Sequence, residues 1–231
     1  MMNRFERFEL SENKVVANGH VFEEEMIGAA NGRHYKEEAY ATLYPERCRL
    51  NQLDKDQRFE KMLKIREEAQ AEFQNILGFN KRTLPIEKAM ELVEKCQTGD
   101  PKNPSHLFAK KLYQAVKDKF VPDKYILKFF SATGGTHLDV SHGIDCYFKL
   151  YDKNNGKELA CATIDLTQQP KKDLAKADVL IYIATEDSSK LDNSRGNADF
   201  DPKFLEEIVE KEAEKISNVI VENFISRNQL K

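Results

Sequence analysis

Residues 143–169, GIDCYFKLYDKNNGKELACATIDLTQQ, decide the fold. Ile144 to Tyr151 alternates and is rich in aromatic and β-branched side chains, and Leu159 to Thr167 does so in weaker form. Between them, Asp152-Lys153-Asn154-Asn155-Gly156 is a turn signal, so the stretch predicts a β-hairpin. A three-residue loop, Asn154 to Gly156, with Gly156 in the left-handed region, pairs Lys153 with Lys157. The register then runs outward until Asp145 faces Asp165. A two-residue loop would slip the register by one and break that pairing. Asp145, Tyr147 and Lys149 thereby share one face with Thr163, Asp165 and Thr167. The other face, built on Cys146, Phe148, Leu150, Ala160, Ala162, Ile164 and Leu166, is apolar and suits a core. The two acids are expected on the solvent-facing side, at the strand ends away from the turn. Opposed like charges destabilise a hairpin, and a divalent cation between them would turn the repulsion into a binding site.

Asp145, in Gly143-Ile144-Asp145, and Asp165, in Ile164-Asp165-Leu166-Thr167, resemble the motif of the PD-(D/E)XK nuclease superfamily. Members carry an Asp at the start of one strand and, in the next, an acid followed two positions on by a lysine. The resemblance implies an α+β fold: a restriction-endonuclease-like mixed β-sheet core flanked by helices. Its order is helix, three strands, helix, strand over residues 104–184, roughly a third of the chain. It also implies a metal-dependent nuclease in which Asp145 and Asp165 hold Mg²⁺ or Mn²⁺, with the backbone carbonyl of Leu166 as a further ligand. Nucleic acid, DNA first, would be the partner. The motif lysine falls on Thr167, which with Gln168 could hold a water by hydrogen bonds but carries no charge. Some family members supply the lysine from elsewhere. Lys149 lies about 13 Å along the strand from Asp145 at the standard rise. Lys172 and then Lys171 are preferred, because a chain turning at Pro170 could bring either back over the site.

The 36 Lys and Arg against 39 Asp and Glu leave a net charge of -3, so any nucleic-acid contact must come from a local patch. No apolar run spans a bilayer and MMNRFERFEL is not a signal peptide, so a cytoplasmic protein without a membrane partner is expected. Cys48, Cys96, Cys146 and Cys161 show no CxxC spacing and read as reduced thiols.

Residues 1–100 read as a mainly helical N-terminal region. Phe5, Phe8, Leu10, Val15 and Val16 suggest short strands, and helices follow over 21–30, 35–44, 51–77 and 85–96. Gln97 to Asn103, with Gly99 and Pro101, reads as a linker, and residues 104–231 as the nuclease-like core with its C-terminal helix. Asn103 is the expected cap of a helix over 104–120. Some members of the family that the motif resembles place a metal-binding Glu on this helix; here there is no Glu, and Gln114 is the nearest polar stand-in. A strand follows over 125–133. Residues 136–142 read as a polar loop. His137, Asp139 and His142 precede Asp145 there, and Asp139 is a candidate extra metal ligand. A short helix is expected over 170–177, a buried strand over 178–184, a polar loop over 186–201 and an amphipathic helix over 202–224. That last helix either covers the sheet or makes a homo-oligomer contact. Two other functions fit the same sequence: a catalytically inactive nuclease-like scaffold, and a helical interaction or assembly protein.

Overall fold

The computed structural model describes residues 21–49, 54–74, 83–169, 176–193 and 197–229. Residues 21–27 form α1. Then come α2 (Gly32–Leu43), α3 (Lys55–Gln74), α4 (Ile86–Lys95), α5 (Leu107–Lys117), β1 (Tyr125–Ser131), α6 (His137–His142), β2 (Cys146–Asp152), β3 (Glu158–Thr167), β4 (Val179–Tyr182), α7 (Ser188–Leu191) and α8 (Pro202–Gln229). The strands make one four-stranded sheet in the order β1-β2-β3-β4. The first two pairings are antiparallel and β3 with β4 is parallel. A mixed sheet flanked by helices is therefore present, as the order of periodicities predicts. The strands suggested by Phe5 to Val16, most of the 170–177 helix, and both Lys171 and Lys172 lie outside the described residues.

The hairpin reaches its expected register by a different route. Gly156 N–H donates to Asp152 O at 2.9 Å and Asp152 N–H to Lys157 O at 2.9 Å, so the loop holds four residues, not three. Gly156 sits at φ 68°, in the left-handed region as expected. Leu150 pairs with Ala160 but Tyr151 with Glu158, which makes Leu159 the extra residue of a bulge. The added loop residue and the bulge cancel. Cys146 faces Ile164, but Asp145 N–H also donates to Ile164 O, so Asp145 and Cys146 share one partner and the expected pairing of Asp145 with Asp165 is lost to a second bulge.

One face of the sheet is the apolar face expected. Phe148, Ala160, Ala162 and Ile164 are fully buried there, against Phe108, Leu112 and Val116 of α5 and Ile216 and Ile220 of α8. Phe22, Met26 and Ile27 bring α1 into the same core. The other face is not solvent-facing: Tyr147 is 0 % and Asp165 1 % exposed. Tyr35 and Ala39 of α2, Leu92 and Val93 of α4, and Leu138 of α6 cover it, and Tyr147 donates its hydroxyl to Met90 O at 3.1 Å. Alternation along a strand tells which side chains share a face. It does not tell whether a distant helix lies over that face.

Other differences are local. Residues 136–142 form helix α6 and not a loop, with Thr136 as its N-cap. The N-cap of α5 is His106, three residues beyond Asn103. The 186–201 segment contains α7 and the end of a short 3₁₀ turn, Thr185–Asp187. α3 packs on α2 and links to it through Arg66 and Glu37 at 2.9 Å and Tyr44 and Glu72 at 3.0 Å. The four cysteines are free. Among the described residues no helix is long and apolar enough to cross a membrane.

Lys149 is committed to the scaffold. Its ammonium lies 2.6 Å from Glu94 of α4 and 2.7 Å from Glu158 of β3, and its side chain is 11 % exposed. Burial alone would lower its pKa, but the bonds to Glu158 and Glu94 outweigh that and raise it. Lys149→Met leaves both acids behind. Glu158 keeps Arg227 at 2.9 Å, so the expected cost stays below that of breaking a fully buried pair. A loss on the order of 2 kcal/mol in urea unfolding at pH 7 is expected. A change under about 0.5 kcal/mol would contradict the clamp, being the size of an ordinary surface substitution.

Candidate metal centre

The site is assembled by a short piece of chain between β1 and β2. Thr136 caps α6: its hydroxyl accepts from Asp139 N–H at 3.3 Å and donates to Ala132 O at 2.5 Å. Gly143, at φ 62°, ends the helix. Its N–H donates to Asp139 O at 3.1 Å, an αL closure, and Ile144 N–H donates to Leu138 O at 2.9 Å. Two residues later the chain enters the sheet. Asp145 N–H donates to Ile164 O at 2.9 Å, and Asp145 O accepts from Ala132 N–H at 2.7 Å. The backbone of Asp145 is thus fixed between β1 and β3. Its Oδ2 accepts from Leu166 N–H at 2.7 Å, which fixes the side chain as well.

Three acids meet here. Ligand oxygens of Glu23, Asp139 and Asp145 all lie within 4.8 Å of one another. Asp139 comes from α6, where its Oδ2 also accepts from Gly135 N–H at 3.3 Å. Glu23 comes from α1, whose neighbours Phe22, Met26 and Ile27 are in the core. Asp165 stands on the adjacent strand, 1 % exposed, and its charge is felt at Asp145. Burial, then the charge of Glu23, pushes the Asp145 carboxyl up to about 8. The Leu166 N–H opposes this, and Asp139 and Asp165 add to it.

The donor set fits a hard divalent cation. It consists of carboxylate oxygens alone, without thiolate or imidazole, as Mg²⁺ and Mn²⁺ prefer. The two nearby histidines are engaged elsewhere. His142 Nε2 donates to Leu84 O at 2.8 Å, and His137 Nδ1 lies 3.2 Å from the Tyr35 hydroxyl, which also accepts from His137 N–H at 3.1 Å.

Of the residues singled out from the sequence, Asp145 and Asp139 meet in the three-acid group and Leu166 bonds Asp145, whereas Asp165 is not one of the three and acts on Asp145 only as the last of the charges around it. Leu166 is seen here through its N–H. Thr167 is 7 % exposed, and its hydroxyl accepts from Gln169 N–H at 3.1 Å. Lys149 is bound to Glu94 and Glu158, away from the acids. Glu23 was not anticipated. Its one signal is that Phe22, Glu23, Met26 and Ile27 share a helix face at i, i+1, i+4 and i+5, which sets an acid on an apolar stripe. No protein-family model matches the chain, and comparisons with curated proteins and with solved structures return no match.

The raised Asp145 pKa has a consequence for stability. An unfolded Asp titrates near 3.9, so the folded, metal-free protein holds a proton that the unfolded chain has released above about pH 4. Stability from this group is complete below that pH and is lost as pH rises through about 8. With chelator present, the melting temperature is expected to fall between pH 5 and pH 8. Asp145→Asn keeps an oxygen for Leu166 N–H and should flatten that fall. Parallel pH profiles for wild type and Asp145→Asn would contradict the assignment.

Proposed function

We propose that the chain is a metal-dependent nuclease that hydrolyses phosphodiester bonds of nucleic acid, DNA being the expected substrate, and that it is related to the PD-(D/E)XK nucleases. The observation that carries this reading is the convergence of ligand oxygens of Glu23, Asp139 and Asp145 to within 4.8 Å, with Asp165 adding its charge at Asp145. The order of elements agrees with it. From α5 to β4 the chain runs helix, strand, the additional helix α6, two more antiparallel strands and a fourth strand parallel to the third, with Asp145 just before β2 and Asp165 in β3; most of the helix expected between β3 and β4 lies outside the described residues.

Glu23, Asp139 and Asp145 would hold the Mg²⁺ or Mn²⁺, with Asp165 and the Leu166 carbonyl completing the set by the resemblance. Such an ion supplies a water activated at neutral pH and offsets charge on the phosphate. The chain's own part is to fix the carboxylates: Leu166 N–H orients Asp145, and Gly135 N–H orients Asp139. Thr167 stands where the motif has its lysine and can hold a water through its hydroxyl. Positive charge would come from Lys172 or Lys171.

Two observations favour other readings. The uncharged Thr167 favours a scaffold that binds metal without turnover. Phe59, Met62 and Leu63, 63 %, 42 % and 42 % exposed on one face of α3, favour a role in assembly.

The deciding experiment incubates the protein with Mn²⁺ and plasmid DNA, single-stranded DNA or RNA, alongside Asp145→Asn and Asp165→Asn. Cleavage by wild type, reduced about 100-fold or more in both variants, is expected for loss of a metal ligand. Wild type that cuts none of the three substrates sinks the enzyme reading. A dimer or larger species by light scattering, without cleavage, would favour assembly.

A further inference from the structure

Glu23 reaches the acidic cluster from a helix far upstream of the sheet, and two carbonyls tie down the end of that helix: Glu25 O accepts from His106 Nδ1 at 3.0 Å, and Gly28 O accepts from two hydroxyls. Gly28 O accepts from Ser131 Oγ and from Thr133 Oγ1, each at 2.5 Å, and the two hydroxyls are 3.2 Å apart. Both side chains are buried, at 1 % and 0 % exposure. Ala30 N–H adds a bond to Thr133 O at 3.2 Å. The contact leaves no room for a side chain at Gly28. Its φ is +77°, and a Cβ there would lie 2.8 Å from His106 Cδ2. Nor is there room at Gly32, where a Cβ would lie 2.7 Å from Gly134 O.

Two hydroxyls on one carbonyl are not what core packing asks for. Alanine and valine would fill the space without burying polar groups that must then be satisfied. What the pair adds is position. Gly28 follows α1 directly, and Glu23 lies little more than one helical turn before it. The loop that carries Ser131 and Thr133 runs on to Gly135 and Thr136, which hold Asp139.

We propose that Ser131 and Thr133 are positioning residues for the metal centre: by gripping the Gly28 carbonyl they set α1 so that Glu23 stands at the cluster. This rests on the reading of the cluster as a divalent-metal site. Groups that orient a ligand in this way typically change metal affinity about 10–100-fold.

The test is a double-mutant cycle read by Mn²⁺ affinity in isothermal titration calorimetry at pH 8, with folding checked by circular dichroism. Thr133→Val should weaken Mn²⁺ binding about 10-fold, and Thr133→Ser, which keeps the hydroxyl, should restore most of it. In a Glu23→Gln background Thr133→Val should cause no further loss, because the group through which it acts is already gone. If Thr133→Val fails to fold, Ser131→Ala completes the same cycle. An unchanged affinity, or an equal loss in both backgrounds, overturns the proposal while leaving the metal centre standing. Wild type that takes up no Mn²⁺ overturns the centre, and this proposal with it.

Discussion

The carboxylate of Asp145 is held by the N–H of Leu166 in a buried place that Glu23, Asp139 and Asp165 also charge. Buried like charges repel strongly, because little water is present to screen them. Such a group must therefore carry protons, a cation, or both. The metal-free protein answers with the raised pKa of Asp145. A divalent ion would replace the proton and reverse the balance. The stability of this part of the fold and its chemistry thus depend on the same few oxygens.

The scaffold keeps those oxygens together by closing both faces of a four-stranded sheet. α5 and α8 cover one side, and α2, α4 and α6 the other. The segment from Ser131 to Asp145 joins the two parts. It ends β1, receives the turn after α1, forms α6 and delivers Asp145 into the ladder. Lys149 closes the same face further along, where Glu94 and Glu158 neutralise it.

Much of this was legible in the hairpin. Alternation and the Asn-Asn-Gly turn mark the strands and the core face, but the pairing of Asp145 with Asp165 does not follow, because Asp145 and Cys146 both stand opposite Ile164. The register emerged correctly although the loop was read one residue short, because the bulge at Leu159 cancels the difference. A bulge of this kind leaves no local composition signal. α6 was legible in principle: Thr136 three residues before Asp139, with Gly143 beyond the end, is a cap at each terminus. The burial of the acid face was not legible, since it depends on Tyr35, Leu92 and Val93 arriving from elsewhere in the chain. Glu23 was hidden for the same reason. Its part in the cluster comes from tertiary packing, and a single acid on an apolar stripe has no spacing that marks it.

A proton on Asp145 and a divalent ion would compete for the same carboxylate cluster. Isothermal titration of the metal-free protein with Mn²⁺ at pH 7, repeated in buffers of different ionisation enthalpy, counts the protons released on binding. Below the folded pKa of about 8 the Asp145 carboxyl is mostly protonated, so uptake of the ion should expel close to one proton per chain. No uptake of Mn²⁺, or uptake without proton release, would contradict the account.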